Sequence, residues 1–108
     1  MSDQRRYVVL WHEGIDNPHF DFMCEWRDHS PLITLRYESW PPDDPNRFER
    51  LPDHRRKYLD YEGPISSNRG FVSRVAAGFC TIEIDREDTA LVQLDSGLKI
   101  RVAGARWD

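Results

Sequence analysis

His19 and Asp21 stand two positions apart in His19-Phe20-Asp21-Phe22-Met23-Cys24-Glu25-Trp26, where even positions are apolar and odd ones mostly polar. That alternation is the period of a half-buried β-strand. Both side chains then project from the face opposite Phe20, Phe22, Cys24 and Trp26. His12 ends the preceding apolar segment and His54 lies in Pro52-Asp53-His54, so three of the four histidines can converge on one surface of a small barrel. Imidazole and carboxylate together accept manganese, iron or zinc and leave positions open for water and substrate. Spacing alone leaves three readings open: a hydrolytic metal centre, an iron-dependent oxygenase or cupin-like site of the 2-His-1-carboxylate kind, and solvated histidines on a polar strand face.

Other groupings carry less chemistry. Asp28-His29-Ser30 has the residue types of a hydrolase triad, but consecutive turn residues cannot adopt that through-space geometry. Arg55-Arg56-Lys57, beside Asp53 and Asp60, reads as a solvated basic face that could also meet a nucleic-acid backbone. Cys24 and Cys80 form no C-x-x-C pair, which predicts buried, reduced thiols rather than a disulfide scaffold or a zinc ribbon. Trp11, Trp26 and Trp40 read as core or rim aromatics, and neither a Walker nor a dinucleotide fingerprint exists.

The elements that must position these residues are strands. Tyr7 to Trp11 makes a first strand, and the 19–26 segment a second. Leu32 to Glu38 makes a third, with Ile33, Leu35 and Tyr37 on one face, and Asp28-His29-Ser30-Pro31 turns the second into the third as an antiparallel hairpin. Pro41-Pro42-Asp43-Asp44-Pro45-Asn46 reads as a surface loop. Further strands are expected at Gly70 to Val75, Phe79 to Ile84, Thr89 to Leu94 and Leu98 to Val102, with Asp95-Ser96-Gly97 as a hairpin signal. Arg47 to Tyr58 is the nearest helix candidate, and Pro52 interrupts it. The pattern predicts one all-β domain over residues 1–108, a bent sheet or barrel of about seven to eight short strands. His12, His19, Asp21 and His54 are expected to line one concave face of it.

Composition narrows the function classes. At 108 residues the chain suffices for one core, and its four Trp, four Tyr and five Phe supply material that a disordered tail lacks. The net charge of −4 argues against gripping nucleic acid by bulk positive charge, so any phosphate contact must be local. The basic residues are thirteen Arg and two Lys, and Arg is the better bidentate phosphate partner. The longest apolar run, Tyr7 to Trp11, is far below the roughly 18 residues of a membrane span, and nothing resembles a signal peptide. A cytoplasmic protein with no membrane partner is expected.

Longer stretches carry a more specific signal. Tyr7-Val8-Val9-Leu10-Trp11-His12, then His19-Phe20-Asp21-Phe22-Met23-Cys24-Glu25, then Asp53-His54 with Tyr58 four and Glu62-Gly63 eight and nine beyond His54, follow one another in this order. These blocks resemble the 3′-phosphoesterase domain of bacterial DNA ligase D, which reads Phe-Val-Val-x-x-His, His-Tyr-Asp-Phe-Arg-Leu-Glu and Asp-His-Pro-x-x-Tyr-x-x-Phe-Glu-Gly. The similarity runs from about Tyr7 to Ile82. The resemblance implies a manganese-type ion, with zinc the alternative, held by His12, His19 and Asp21. It implies that His54 and Tyr58 bind the phosphate or assist its transfer. Arg47 stands near a phosphate-binding Arg of the family, and Arg69 could reach phosphate from the Ser66–Gly70 loop. The implied activity is metal-dependent phosphoester hydrolysis at nucleic-acid 3′ ends, in DNA end processing and repair. The implied partners are a nucleic-acid 3′ end or a small phosphoester, and a DNA-repair ligase or polymerase.

The departures are equally specific. Six residues separate His12 from His19 where the family has five, Pro52 replaces an acidic residue, and Ser39 falls near a family Lys. Met23 occupies the place of an Arg that alternation aims at the ligands' face, and a thioether cannot clamp phosphate as a guanidinium does. Losing one charged donor costs on the order of 10²- to 10³-fold in rate. The residues thus allow a slowed enzyme, or a catalytically silent relative that binds metal, phosphate or a repair partner. They also suggest that Met23→Arg would restore a clamp.

Overall fold

The structure, a computed structural model, describes residues 4–27, 29–86 and 89–103. Its elements are β1 (Arg5–Glu13), β2 (His19–Cys24), β3 (Leu32–Tyr37), β4 (Glu49–His54), a four-residue 3₁₀ turn η1 (Arg56–Leu59), β5 (Gly63–Pro64), β6 (Phe71–Arg86), β7 (Thr89–Leu94) and β8 (Lys99–Ala103). They form one antiparallel sheet in the order β4-β3-β2-β1-β6-β7-β8, with β5 paired to β6, curled into a half-barrel. The expected all-β architecture is present. Among the described residues no helix is long and apolar enough to cross a membrane.

Two elements differ from the sequence reading. The strands expected at 70–75 and 79–84 are one strand, the 16-residue β6. Ala76-Ala77-Gly78 does not break it, because a Cβ at Gly78 would sit 2.5 Å from the Asp95 carboxylate, which accepts the Phe79 amide. Glycine is there to admit that carboxylate, not to turn the chain. The register shifts between Val9 and Leu10, which pair with Ala76 and Arg74, so Val75 is a bulged residue that lets the long strand bend. The helix candidate at 47–58 divides into β4 and η1. Pro52 is tolerated because β4 is an edge strand and its pairing to β3 shifts register there. Of the expected 28–31 turn, Asp28 lies outside the described residues, and His29 adopts φ 65°.

Two apolar clusters hold the sheet, one on each face. The larger gathers Tyr7, Val9, Phe22, Cys24, Ile33, Leu35 and Tyr37 with Val92, Ile100 and Val102. Residues of β3 and β8, near the two ends of the strand order, share it, so it fills the inside of the curl. Ile33, Leu35 and Tyr37 are together as expected. Both cysteines are free and buried. The smaller cluster, Val8, Leu10, Met23, Leu32, Leu59 and Val72, lies on the opposite face. It exists because the chain leaves edge strand β4 and must return across the sheet to pair β5 with β6. That crossing carries η1 over β1, and Leu59, Tyr58 and Tyr61 seal the strands beneath. Burial of each large aliphatic side chain contributes about 1.5–3 kcal/mol.

Candidate metal centre

Pairing brings the candidate ligands together. His12 lies directly opposite His19 across β1 and β2, and Asp21 is the next residue of β2 on the same face. This is the face of Leu10, Met23 and Leu32, outside the curl and under the crossing segment. The expectation of a concave face is corrected accordingly: these side chains flank the smaller cluster, not the barrel interior. His19 is 7% and Asp21 2% exposed. The solvated face expected from alternation is instead covered, because the crossing segment roofs it.

One atom from each of His12, His19 and Asp21 lies within 4.8 Å of the others. The His19 Nδ1 donates to the Asn17 carbonyl (2.8 Å) and the His12 Nε2 to the Arg69 carbonyl (2.7 Å), since a carbonyl can only accept. In the neutral rings this turns the lone pairs of His19 Nε2 and His12 Nδ1 toward Asp21, at 3.0 Å from Oδ1 and 3.8 Å from Oδ2. Despite the 3.0 Å approach, Asp21 Oδ1 is buried and accepts no aligned hydrogen bond. Lone pairs converging on a buried carboxylate repel one another unless a proton or a metal ion lies between them. Backbone carbonyls that fix imidazole tautomers are also the usual support of metal-ligating histidines. The donor set therefore fits a divalent ion with open positions.

Burial raises the Asp21 carboxyl above its ordinary value, and the neighbouring His19, His54, His12 and Arg36 oppose that rise. His54 is one of those neighbours. Its Cα partner across β3 and β4 is Leu32, a residue of the smaller cluster, so His54 shares the ligands' face. The His54 Nδ1 donates to the Pro52 carbonyl (2.8 Å), which makes Nε2 the lone-pair nitrogen of the neutral ring. The Tyr58 ring stands edge-on to it with centroids 6.0 Å apart.

The arginines divide. Arg47 lines an open cleft of about 420 Å³ with Arg36, Glu38, Asp43, Asp44 and Glu49, a surroundings richer in carboxylates than in cations. The Arg69 guanidinium folds onto its own loop, donating to the Ser66 carbonyl and hydroxyl, while its main-chain carbonyl orients His12. Arg36 was missed. It pairs with Asp21 across β2 and β3 and with Glu49 across β3 and β4, and its Nη1 lies 3.8 Å from Glu49 Oε1. The signal was present, since Arg36 has opposite parity to Leu35 and Tyr37, but the hairpin register that sets it beside Asp21 was not legible. The Met23→Arg expectation is also corrected. Met23 does share the ligands' face, but at 1% exposure it is packed among Val8, Leu10 and Leu32, with no room to aim a guanidinium at a ligand.

Comparison with protein-family models and with curated protein sequences finds no match for this chain. The case for chemistry at this centre therefore rests on its own donors and on the motif resemblance.

Proposed function

We propose that the protein is a metal-dependent phosphoesterase acting on nucleic-acid 3′ ends, with His12, His19 and Asp21 holding one Mn²⁺ or Zn²⁺. The observation that carries this reading is the buried Asp21 carboxylate, whose Oδ1 lies 3.0 Å from His19 Nε2 without a hydrogen bond and whose Oδ2 lies 3.8 Å from His12 Nδ1, the other nitrogen of each imidazole being bound to a carbonyl. A divalent ion there would stabilise charge on a phosphate oxygen. The His54 Nε2 is the group to donate a hydrogen bond or a proton to the phosphoester, and Tyr58 positions that ring and offers a hydroxyl. Arg36 takes the part of the guanidinium that Met23 cannot supply. Arg47 and Arg69 remain candidates for outer phosphate contacts, and a DNA-repair ligase or polymerase remains the proposed protein partner.

The alternative is a silent module that binds metal, phosphate or a repair partner, and the sealed, apolar Met23 favours it. Release of 3′ phosphate from an oligonucleotide, with metal content measured on the same sample, separates the two. Turnover that needs the ion supports the enzyme. A bound ion without turnover supports the module. Purified protein that takes up neither Mn²⁺ nor Zn²⁺ sinks both metal readings.

A further inference from the structure

Beside the centre, η1 and the 61–69 segment enclose a second cleft of about 300 Å³, lined by Arg55, Lys57, Tyr58, Tyr61, Ser66 and Arg69 among others. No acidic side chain lines it. The basic triplet divides its work: Arg56 turns inward to pair with Glu25, while Asp53 is held by Arg50 and Asp60 by Arg6. Among the described residues no carboxylate lies within ion-pair distance of Arg55, Lys57 or Arg69. The Lys57 ammonium rests over Tyr61 and Tyr58, 5.0 and 5.3 Å from the ring centroids. Three uncompensated cations around one cleft, on a chain of net charge −4, concentrate positive potential where an anion would enter.

Both walls lead to the metal centre. Tyr58 on one wall meets His54, and Arg69 on the other carries the carbonyl that orients His12. We propose that this cleft binds the backbone of a single-stranded nucleic acid just inside its 3′ end, with Arg55, Lys57 and Arg69 on phosphates and Tyr61 as the base-stacking face. A base over Tyr61 displaces the Lys57 ammonium from the ring toward a phosphate, so stacking and charge pairing act together. The direction of the strand rests on the phosphoesterase reading, whereas the binding itself does not.

Fluorescence anisotropy with a short labelled oligothymidylate, in EDTA and in Mn²⁺, tests this on the full chain. Arg55→Gln/Lys57→Gln should bind about tenfold more weakly at low salt and flatten the log–log salt dependence by about 1.4, the loss of two phosphate contacts on a single strand. Tyr61→Leu should weaken binding about fivefold or more without changing the salt slope. Mn²⁺ affinity of both variants should match wild type, which guards against misfolding. Equal oligonucleotide affinity in wild type and the double variant overturns the proposal, as does wild-type binding to phosphatidylserine vesicles but not to the oligonucleotide. Wild type that binds the oligonucleotide in EDTA but takes up no metal sinks the catalytic reading and leaves the cleft standing.

Discussion

Burial raises the Asp21 carboxyl against the pull of His19, His54, His12 and Arg36, which makes the metal-free centre a cost to the fold. The folded value lies above the unfolded one, so the associated stability is fully present below the unfolded value and is lost as pH rises through the folded value. At neutral pH the penalty is therefore present. Asp21→Asn should raise the melting temperature of metal-free protein at pH 7, with the gain shrinking in acid, and should abolish the rise that Mn²⁺ gives wild type. Melting curves in EDTA and in Mn²⁺ check both halves, and a variant that melts lower than wild type in EDTA contradicts the account. Arg36→Gln should keep metal affinity while slowing phosphate release on the order of 10²- to 10³-fold. Met23→Arg should cost about 3–5 kcal/mol of stability in urea unfolding, the scale of an unpaired buried charge, and should not raise turnover.

The turn beside His12 is built on close backbone approach. Gly70 has φ +78°, and a Cβ there would lie 2.0 Å from the Glu13 carbonyl oxygen. This contact brings the end of β1 against the loop whose Arg69 carbonyl orients His12. Gly70→Ala should destabilise the chain by about 1–3 kcal/mol from backbone strain alone and should lower metal affinity, measured by titration. Unchanged affinity would mean that His12 does not need the Arg69 carbonyl. Sequence pattern revealed the matched blocks but not this dependence: glycine in a Ser-Asn-Arg-Gly stretch reads as an ordinary loop, and its partner is far away along the chain.

Across the whole molecule, two ion pairs pin the crossing segment to the sheet: Arg56 to Glu25, and Arg6 to Asp60 at 2.7 Å. Burial pushes the Glu25 carboxyl up, but the Arg6 amide and the Arg56 guanidinium overcome it and hold it below the usual carboxylate range. The Arg6 guanidinium likewise holds the Asp60 carboxyl down. Carboxyls depressed by folding stabilise above their unfolded values, and that contribution disappears as pH falls through the folded ones. Stability should therefore drop in acid below about pH 4, and Glu25→Gln should flatten that decline while exposing the amides of η1 to faster hydrogen exchange. At neutral pH bound metal should add about 2.7 kcal/mol at a concentration one hundred times its dissociation constant. That gain should disappear in acid, because protonated imidazoles do not ligate.

The sequence by itself determined the all-β class, the parity that sets His19 with Asp21 and Ile33 with Leu35, and the order of the motif blocks, because alternation and turn residues act over a few positions. Tertiary structure alone decided which face carries His12, His19 and Asp21, that His19 and Asp21 are buried, and that Arg36 pairs with Asp21 across β2 and β3. It also merged two expected strands into β6 and turned Arg56 inward while leaving Arg55 and Lys57 outside. The burial of His19 and Asp21 and the inward turn of Arg56 follow from one long-range event, the return of the chain from edge strand β4 across the sheet to β6. A segment that covers an otherwise solvated face reverses the burial of every residue beneath it, and no local periodicity encodes that.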